Sequence, residues 1–349
     1  MNAFRVTLPK VTIVSVANAY FPIGPRGTGA EQVVAMVDRA IVEQGWNSIV
    51  IAAEGSVATG RVIESLPASP GQTEDTEGRI ARIREGILAA TSRADVIHFH
   101  GLGFERYLPE GKTRVLVTLH APVAYYPREI FGIPSLTFVA VSHHQALSLP
   151  NLPALRIISN GIDLRCYRPR LGKREHLVFI GRMSPEKGAH VALKVAHSLG
   201  LSLVMAGPVP PFPETQRYYT ECVAPGLDEK RRYVAAIGTE EKVRLLATAR
   251  CVLIPSLCPE TSSLVAMEAI SCGVPVVAFP SGALGEVVEH GLTGFIVGSE
   301  EAMARAVQWA GQISPFDCRM NAERRFDGRQ MSREYLTCYR ELLLPRSGA

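Results

Sequence analysis

Short apolar runs alternate with stretches of helical spacing along almost the whole chain. The runs are rich in β-branched residues and fall into two series. The first is VTIVSVA (11–17), SIVIAA (48–53), VIHFHG (96–101), RVLVTLH (114–120) and TFVAVS (137–142); the second is HLVFIG (176–181), SLVMAG (202–207), YVAAIG (233–238), CVLIPS (251–256) and PVVAF (275–279). Continuous apolar strands separated by helices indicate parallel sheets covered on both faces. Two series predict an α/β chain of two doubly wound, Rossmann-like domains.

The boundary between these domains is expected near residues 158–176, which are rich in turn formers and charge and hold no long apolar run. We predict a first domain over 1–165 and a second over 166–327. Residues 328–345 carry apolar or aromatic residues at helical intervals. This spacing predicts a terminal helix, and we expect it to cross back to the first domain.

Composition limits the class of protein. The 349 residues are 47% hydrophobic and 20% charged, which indicates a globular chain. A net charge of +4 fits an anionic small molecule or a membrane surface but is too small to argue for nucleic acid. No apolar run reaches the ~20 residues of a membrane span. No signal-peptide layout opens the chain, so we expect a cytoplasmic protein. The oligomeric state is not predicted.

In doubly wound sheets, ligands bind beyond the carboxyl ends of the strands, and a cleft between two such domains is the default site. One loop of this kind, 182–188, carries Arg182 and Lys187 on a tight turn after a strand. A forked guanidinium and an ammonium point charge suit a diphosphate. An ordinary solvated turn is the alternative.

The stretch PETSSLVAMEAISCG (259–273) places Glu268 inside an apolar run, with seven residues between it and Glu260. The three hydroxyl residues at 261–263 predict the start of a helix over about 263–272. The amides of Ser263, Leu264 and Val265 would then form an anion site. Two carboxylates beside it could each bind a sugar diol. The alternatives are a salt bridge to a neighbouring helix for Glu268 and a surface charge for Glu260.

Two features of the first domain are weaker candidates. A glycine-rich loop that contains Gly27 and Gly29 precedes a helix expected near Ala30, although its spacing is not that of the dinucleotide fingerprint. It could approach a phosphate, or it could be a plain connection. Three histidines, His98, His100 and His120, stand at strand ends. They lack partners at ligand spacing, so no metal site is predicted.

Several reaction classes lack their motifs here. The chain has no DxD pair for a metal-bound diphosphate, no GxSxG and no P-loop. Seven scattered cysteines without a CxxC pair indicate neither a zinc site nor a disulfide framework. Hydrolases, kinases and metal-dependent transferases are therefore disfavoured.

A family resemblance emerges from the combined motifs. IGRMSPEKG, MAGPV, AIGTEEKVRLLATARCVLIPS and the PETSSLVAMEAISCGVPVVAF segment, in this order, resemble glycosyltransferase family 4 (glycosyl transferases group 1). The likeness is close over about 158–300 and looser in the first domain. It implies the GT-B fold, with two Rossmann-like domains that face each other across a cleft. It further implies a retaining, metal-independent transferase that moves a sugar from a nucleotide diphosphate sugar, UDP before GDP, to a hydroxyl of a saccharide, lipid or natural product.

The resemblance also implies roles for individual residues. Arg182 and Lys187 would hold the diphosphate with the amides of 263–265, Glu260 the transferred sugar and Glu268 the ribose. His120 would contact the donor sugar, Gly29 the phosphates or the acceptor, and Gly207, Ile237 and Gly238 would line the base pocket. Thr261, Ser262 and Ser263 stand where the family often has a Gly-aromatic-Gly step. No cofactor is implied.

Three other functions fit the same fold class. A nucleotide-sugar 2-epimerase would need acid and base carboxylates in the first domain, where no clear set stands. A non-catalytic nucleotide-sugar binding protein is disfavoured by the intact basic pair and both glutamates. An NAD-dependent oxidoreductase would need the GxGxxG fingerprint with an acidic residue about 20 positions on.

Overall fold

The computed structural model describes residues 10–17, 22–24, 29–66, 76–91, 94–109, 111, 113–169, 172 and 174–344. These residues form two compact units. Unit 1 contains the described residues up to Val141, Leu149–Ile158 and those from Arg329 on; unit 2 contains Ser142–Ser148 and Ser159–Gly328.

Unit 1 is built on a seven-stranded parallel sheet in the order β3-β2-β1-β4-β5-β6-β7. Its strands are β1 Thr12–Val16, β2 Asn47–Ala53, β3 Arg61–Leu66, β4 Val96–Phe99, β5 Arg114–Leu119, β6 Leu136–Ala140 and β7 Leu155–Ile157. Central strands such as β1 and β4 are buried along their whole length. Helices therefore cover the sheet on both faces, as the continuous apolar runs predict.

Unit 2 has a six-stranded parallel sheet in the order β10-β9-β8-β11-β12-β13. Its strands are β8 His176–Ile180, β9 Leu203–Ala206, β10 Arg231–Val234, β11 Ala249–Ile254, β12 Val276–Ala278 and β13 Gly294–Ile296. The α-helices of the chain are α1 Gly29–Glu43, α2 Thr76–Thr91, α3 His143–Ala146, α4 Ala189–Ser198, α5 Pro213–Tyr218, α6 Thr239–Ala247, α7 Leu264–Ser271, α8 Leu284–Val287, α9 Glu300–Ala310, α10 Pro315–Arg325 and α11 Gly328–Leu343. The two doubly wound α/β sheets confirm the predicted fold class.

The units divide the chain differently from the predicted ranges at one segment. Residues 142–148 belong to unit 2 although they follow the strand β6 of unit 1. The cause is the short helix α3, whose first amides, on His143 and His144, donate to the Glu286 carboxylate of unit 2. The other switches occur between residues 158 and 159 and between 328 and 329, where the predicted ranges end at 165 and 327.

The last helix, α11, packs in unit 1. Tyr335 and Tyr339 on this helix are fully buried, and their hydroxyls lie 3.1 Å from the Thr118 hydroxyl and 2.7 Å from His98 Nδ1. Among the described residues, no helix is both long and apolar enough to cross a membrane.

Candidate functional site

Two loops of unit 2 meet where their strands end. Strands β8 and β11 are neighbours in the middle of the sheet, so the loops 182–188 and 255–263 leave from adjacent strand ends. The Leu257 amide donates to the Glu186 carbonyl over 2.8 Å. At Gly188, φ is +71° and a Cβ atom would lie 2.1 Å from the Pro255 carbonyl oxygen. A glycine is needed here because only it permits both this conformation and this approach.

The meeting of the loops joins Lys187 to Glu260. The Lys187 ammonium lies 2.7 Å from Glu260 Oε1, and the Ser256 hydroxyl donates to the same oxygen. Both charged side chains are largely covered, with 23% and 13% of their surfaces exposed. Arg182 is half exposed, and its guanidinium lies 3.2 Å from the Glu186 carboxylate. Arg182 and Lys187, the cations predicted from the sequence, therefore lie at the strand ends. Each pairs with a carboxylate that a bound anion could replace.

The backbone of Glu260 is held by the turn before helix α8. The Ala283 amide donates to the Glu260 carbonyl over 2.8 Å, and the Ser281 hydroxyl donates to the Cys258 carbonyl over 2.5 Å. Gly282 has φ +59°, and a Cβ atom there would lie 2.2 Å from the Glu260 carbonyl oxygen. This close turn holds the backbone of Glu260 in place.

Helix α7 begins beside this loop. The Ser263 hydroxyl caps it by accepting from the Ala266 amide at 3.4 Å, which confirms the predicted helix start. The amides of Leu264 and Val265 lie in its first turn, where a helix offers N–H groups without intrahelical acceptors and the positive end of its dipole. This end of α7 has the properties of an anion site.

Glu268 is in a buried ion pair one turn further along α7. Its side chain is 1% exposed, and the Lys242 ammonium lies 2.7 and 2.8 Å from its two oxygens. The Tyr167 hydroxyl donates to Oε1 over 2.7 Å. Burial, and then the Glu268 charge, raise the pKa of Tyr167, so its hydroxyl remains a donor. The structure thus shows the salt bridge to a neighbouring helix, and a ribose contact of Glu268 stays a prediction.

Lys242 and Tyr167 are functional candidates that sequence reasoning missed. A carboxylate in an apolar run needs a cation and hydrogen-bond donors to be stable when buried. The position of Glu268 in an apolar run therefore indicates that a cationic partner exists. It does not indicate which of the 37 lysines and arginines is that partner. Lys242 also stands in a charged helical stretch, EEKVR, which reads as a solvated surface.

The residues predicted to line a base pocket lie at the ends of β9 and β10. Gly207 has φ +144°, and a Cβ atom there would lie 1.9 Å from the Gly181 carbonyl oxygen at the end of β8. Its own carbonyl accepts from the Tyr233 hydroxyl over 2.8 Å. Ile237 is half-buried, and Gly238 precedes α6, with its amide 2.8 Å from Glu241 Oε2.

His120 and Gly29 lie in unit 1. His120 follows β5, and its Nε2 lies 3.1 Å from Nδ1 of His100. Burial lowers the pKa of His120 to about 4, so the ring is neutral at pH 7. Gly29 is the first residue of α1, whereas Gly27 lies outside the described residues. Across the described residues, no three His, Cys, Asp or Glu side chains are grouped to hold a metal ion.

The predicted site residues therefore divide into separate groups. Arg182, Lys187 and Glu260 are brought together with the start of α7 by the two touching loops of unit 2. Glu268 lies on the same helix but is directed to Lys242. The roles assigned to all these residues stay predictions.

Comparison with known proteins finds a family match over part of unit 2. Residues 174–311 match the family model described as "Glycosyl transferases group 1", which confirms the resemblance. A D-inositol 3-phosphate glycosyltransferase of Corynebacterium efficiens is 32% identical over 165 residues, or 41% of this chain and 39% of that protein's length. This chain thus matches well under half of that relative's length.

Two solved structures resemble nearly the whole chain. AviGT4, a glycosyltransferase involved in avilamycin A biosynthesis, has a TM-score of 0.71 and 25% identity, covering 97% of this chain and 99% of its own. Anabaena HepE, solved with UDP and glucose, has a TM-score of 0.74 and 16% identity, covering 95% of this chain and all of its own. These likenesses confirm the predicted GT-B architecture of two Rossmann-like α/β domains.

Proposed function

We propose that this chain is a retaining glycosyltransferase that moves a sugar from a nucleoside diphosphate sugar to a hydroxyl group without a metal ion. Support comes from the match of unit 2 to glycosyl transferases group 1 and from the likeness to AviGT4. The acceptor classes that fit are saccharide, lipid and natural-product hydroxyls. UDP is the expected nucleotide, because Anabaena HepE was solved with UDP and glucose. GDP is the next candidate.

The observation that carries this proposal is the pairing of Lys187 with Glu260 beside the start of α7. A diphosphate placed at this helix end would draw the Lys187 ammonium from the carboxylate. Glu260 would then accept hydrogen bonds from hydroxyls of the transferred sugar. One ion pair thus provides both the cation for the leaving group and the acceptor for the sugar.

Stabilisation of the departing diphosphate is the main chemical task of this site. Fixed positive groups in a partly covered site lower the energy of a developing negative charge, because they need little reorganisation. Arg182 supplies a fork of N–H donors, Lys187 a point charge and the first turn of α7 a partial charge. Removal of one such group typically reduces kcat by about 10²- to 10³-fold.

Retention of configuration would follow if the departing phosphate accepts the proton of the attacking hydroxyl on the same face of the sugar. The bond from the anomeric carbon to the phosphate oxygen breaks, and the bond to the acceptor oxygen forms. The acceptor proton passes to the phosphate oxygen, so atoms and charge balance. NMR of the product tests this step, and an inverted anomeric carbon would contradict it.

The ribose contact requires a change at Glu268. Because Lys242 occupies both carboxylate oxygens, we propose that the ribose diol replaces it at Oε2, while Tyr167 keeps its bond to Oε1. The distance of 2.8 Å at Oε2 is an ordinary charge-assisted hydrogen bond, which a diol can replace.

The first experiment is calorimetric titration with UDP, GDP, ADP and NAD in EDTA. Micromolar binding of one nucleoside diphosphate is expected. Lys187→Met should weaken it by about tenfold or more, since a partly buried charge-assisted contact contributes about 1.5–3 kcal/mol. Lys194→Met is the control, because Lys194 is an exposed lysine of α4 that pairs with Glu300 at 3.4 Å. Binding of NAD alone, or only after magnesium is restored, would overturn the proposal.

A second titration isolates the ribose contact. Wild type should bind UDP more tightly than 2′-deoxy-UDP, and Glu268→Gln should reduce this difference. The comparison cancels any general loosening of the ion pair, because that would weaken both ligands alike. An unchanged preference in Glu268→Gln would assign the carboxylate to structure alone.

A further inference from the structure

A pair of histidines at the strand ends of unit 1 constrains the position of one proton. Nδ1 of His100 lies 3.1 Å from Nε2 of His120, and the two rings are stacked with an interplanar angle of 22°. Burial lowers the pKa of both rings, so both are neutral at pH 7. In a hydrogen bond between two neutral imidazoles, one nitrogen carries the proton and the other accepts.

The far side of His100 indicates which nitrogen is the donor. Its Nε2 is buried and has no hydrogen-bond partner among the described residues. An orphaned buried N–H is rarer in proteins than an under-satisfied acceptor. His100 therefore carries its proton on Nδ1 and donates it to Nε2 of His120. As a consequence, His120 carries its own proton on Nδ1.

We propose that His100 is a positioning residue that holds His120 in the Nδ1–H tautomer, so that His120 offers a donor through Nδ1. This inference deepens the proposed function, and its link to activity rests on that function and on the contact of His120 with the donor sugar that the family resemblance implies. A neutral histidine has a single N–H group. The tautomer thus decides whether Nδ1 donates to a sugar oxygen or accepts from a hydroxyl.

His100 is held in place by a layer of side chains beneath it. The ring of His98 lies 3.8 Å from the His100 ring, centroid to centroid. Both nitrogens of His98 are occupied, Nδ1 by the Tyr339 hydroxyl and Nε2 by the Thr118 hydroxyl, each at 2.7 Å. The terminal helix α11 thereby contributes to the orientation of His100 through His98. No described hydrogen bond joins α11 to His100 directly.

The test uses two variants of similar size. The amide of His100→Asn can place an N–H donor near the position of Nδ1, whereas His100→Leu cannot donate. The tautomer of His120 is read from its ring nitrogens by NMR of the ¹⁵N-labelled full chain. We expect Nδ1–H in wild type and in His100→Asn, and a mixture or the Nε2–H form in His100→Leu. His197→Gln, on an exposed histidine of α4, is the control.

Kinetics provide the second readout. We expect His100→Leu to lower kcat for sugar transfer by about tenfold or more while KM for the donor changes little, and His100→Asn to restore most of kcat. A wild-type Nε2–H tautomer, or a His120 tautomer and kcat unaffected by His100→Leu, would overturn the inference. If no transfer occurs in wild type but the tautomers are as expected, the proposed function fails and the assignment of the proton stands.

Discussion

The Glu268 carboxylate has almost no exposed surface, and Lys242 is its partner in a buried ion pair. Removal of one partner of a buried pair leaves an uncompensated charge, which costs about 3–5 kcal/mol. We therefore expect Lys242→Met to lower the free energy of unfolding by that amount, as measured by urea denaturation.

A double variant tests whether the cost arises from the abandoned charge. In Lys242→Met with Glu268→Gln, no buried charge remains at the pair, so most of the lost stability should return. Lys194→Met, in an exposed pair, should stay within about 0.5 kcal/mol of wild type. If the double variant loses as much free energy of unfolding as the two single variants added together, Lys242 acts by packing alone.

Gly207 is a second residue at which a single added carbon atom should lower stability. A methyl group there would lie 1.9 Å from the Gly181 carbonyl oxygen, in a backbone conformation with φ +144°. We expect Gly207→Ala to lower the free energy of unfolding by about 3 kcal/mol and to weaken nucleotide binding. Gly285→Ala is the matched control, because a Cβ atom there meets nothing within 4 Å. Equal stability of the two variants in urea would contradict this account.

At the scale of elements, helix α10 fastens the segment that carries Tyr167 to helix α7. Nη1 of Arg319 lies 2.5 Å from the Tyr167 carbonyl and 2.9 Å from the Ser271 hydroxyl, while its Nε donates to Glu323 over 2.7 Å. We expect Arg319→Lys to cost about 2 kcal/mol in urea unfolding, since an ammonium cannot reproduce the planar fork.

The control for this prediction is Arg324→Lys on the same helix. Arg324 is 70% exposed and lies 3.8 Å from Glu289, so its replacement should change stability by less than about 0.5 kcal/mol. If both lysine variants unfold at the same urea concentration as wild type, Arg319 does not connect these elements.

The elements that the sequence predicted and those it missed differ in one physical property. Nine of the apolar runs form strands, and each of these nine strands has a neighbouring strand on both sides. The edge strands β3, β7 and β13 have no such run, and β10 contains only the first two residues of YVAAIG. An edge strand is covered on fewer sides, so its sequence is short and partly polar, as in RRYV of β10. An apolar run therefore indicates that a strand is buried by its surroundings. It does not indicate which segments pair as strands in a sheet.

The candidate site follows the same logic. Arg182, Lys187 and Glu260 were found because charge after the end of an apolar strand is conspicuous, and Glu268 because it is a charge inside an apolar run. Lys242 was missed because its burial depends on Glu268, a residue 26 positions away. The order of His98, His100 and His120 at strand ends was readable from the sequence. The hydrogen bond of His98 to Tyr339 was not, because it depends on α11 at the far end of the chain.

On the scale of the whole molecule, this dependence on α11 predicts how unit 1 responds to acid. Desolvation by burial lowers the pKa of His98, His100 and His120, the last to about 4. Below the ordinary value of 6.5, the unfolded chain therefore binds protons that the folded unit does not. The contribution of these histidines to the free energy of unfolding is therefore fully present above about pH 6.5. It is lost as pH falls towards about 4.

Amide hydrogen exchange at pH 7.5 and 5.0, corrected for the intrinsic rate, measures this response. Protection of β4, β5 and α11 should fall together at the lower pH, because Tyr335 and Tyr339 join these elements through Thr118 and His98. His120→Asn should reduce the pH dependence, since it removes one of the groups that must be protonated, whereas His197→Gln should leave it unchanged. If β4 and β5 lose protection while α11 keeps it, the terminal helix is not part of the same cooperative unit.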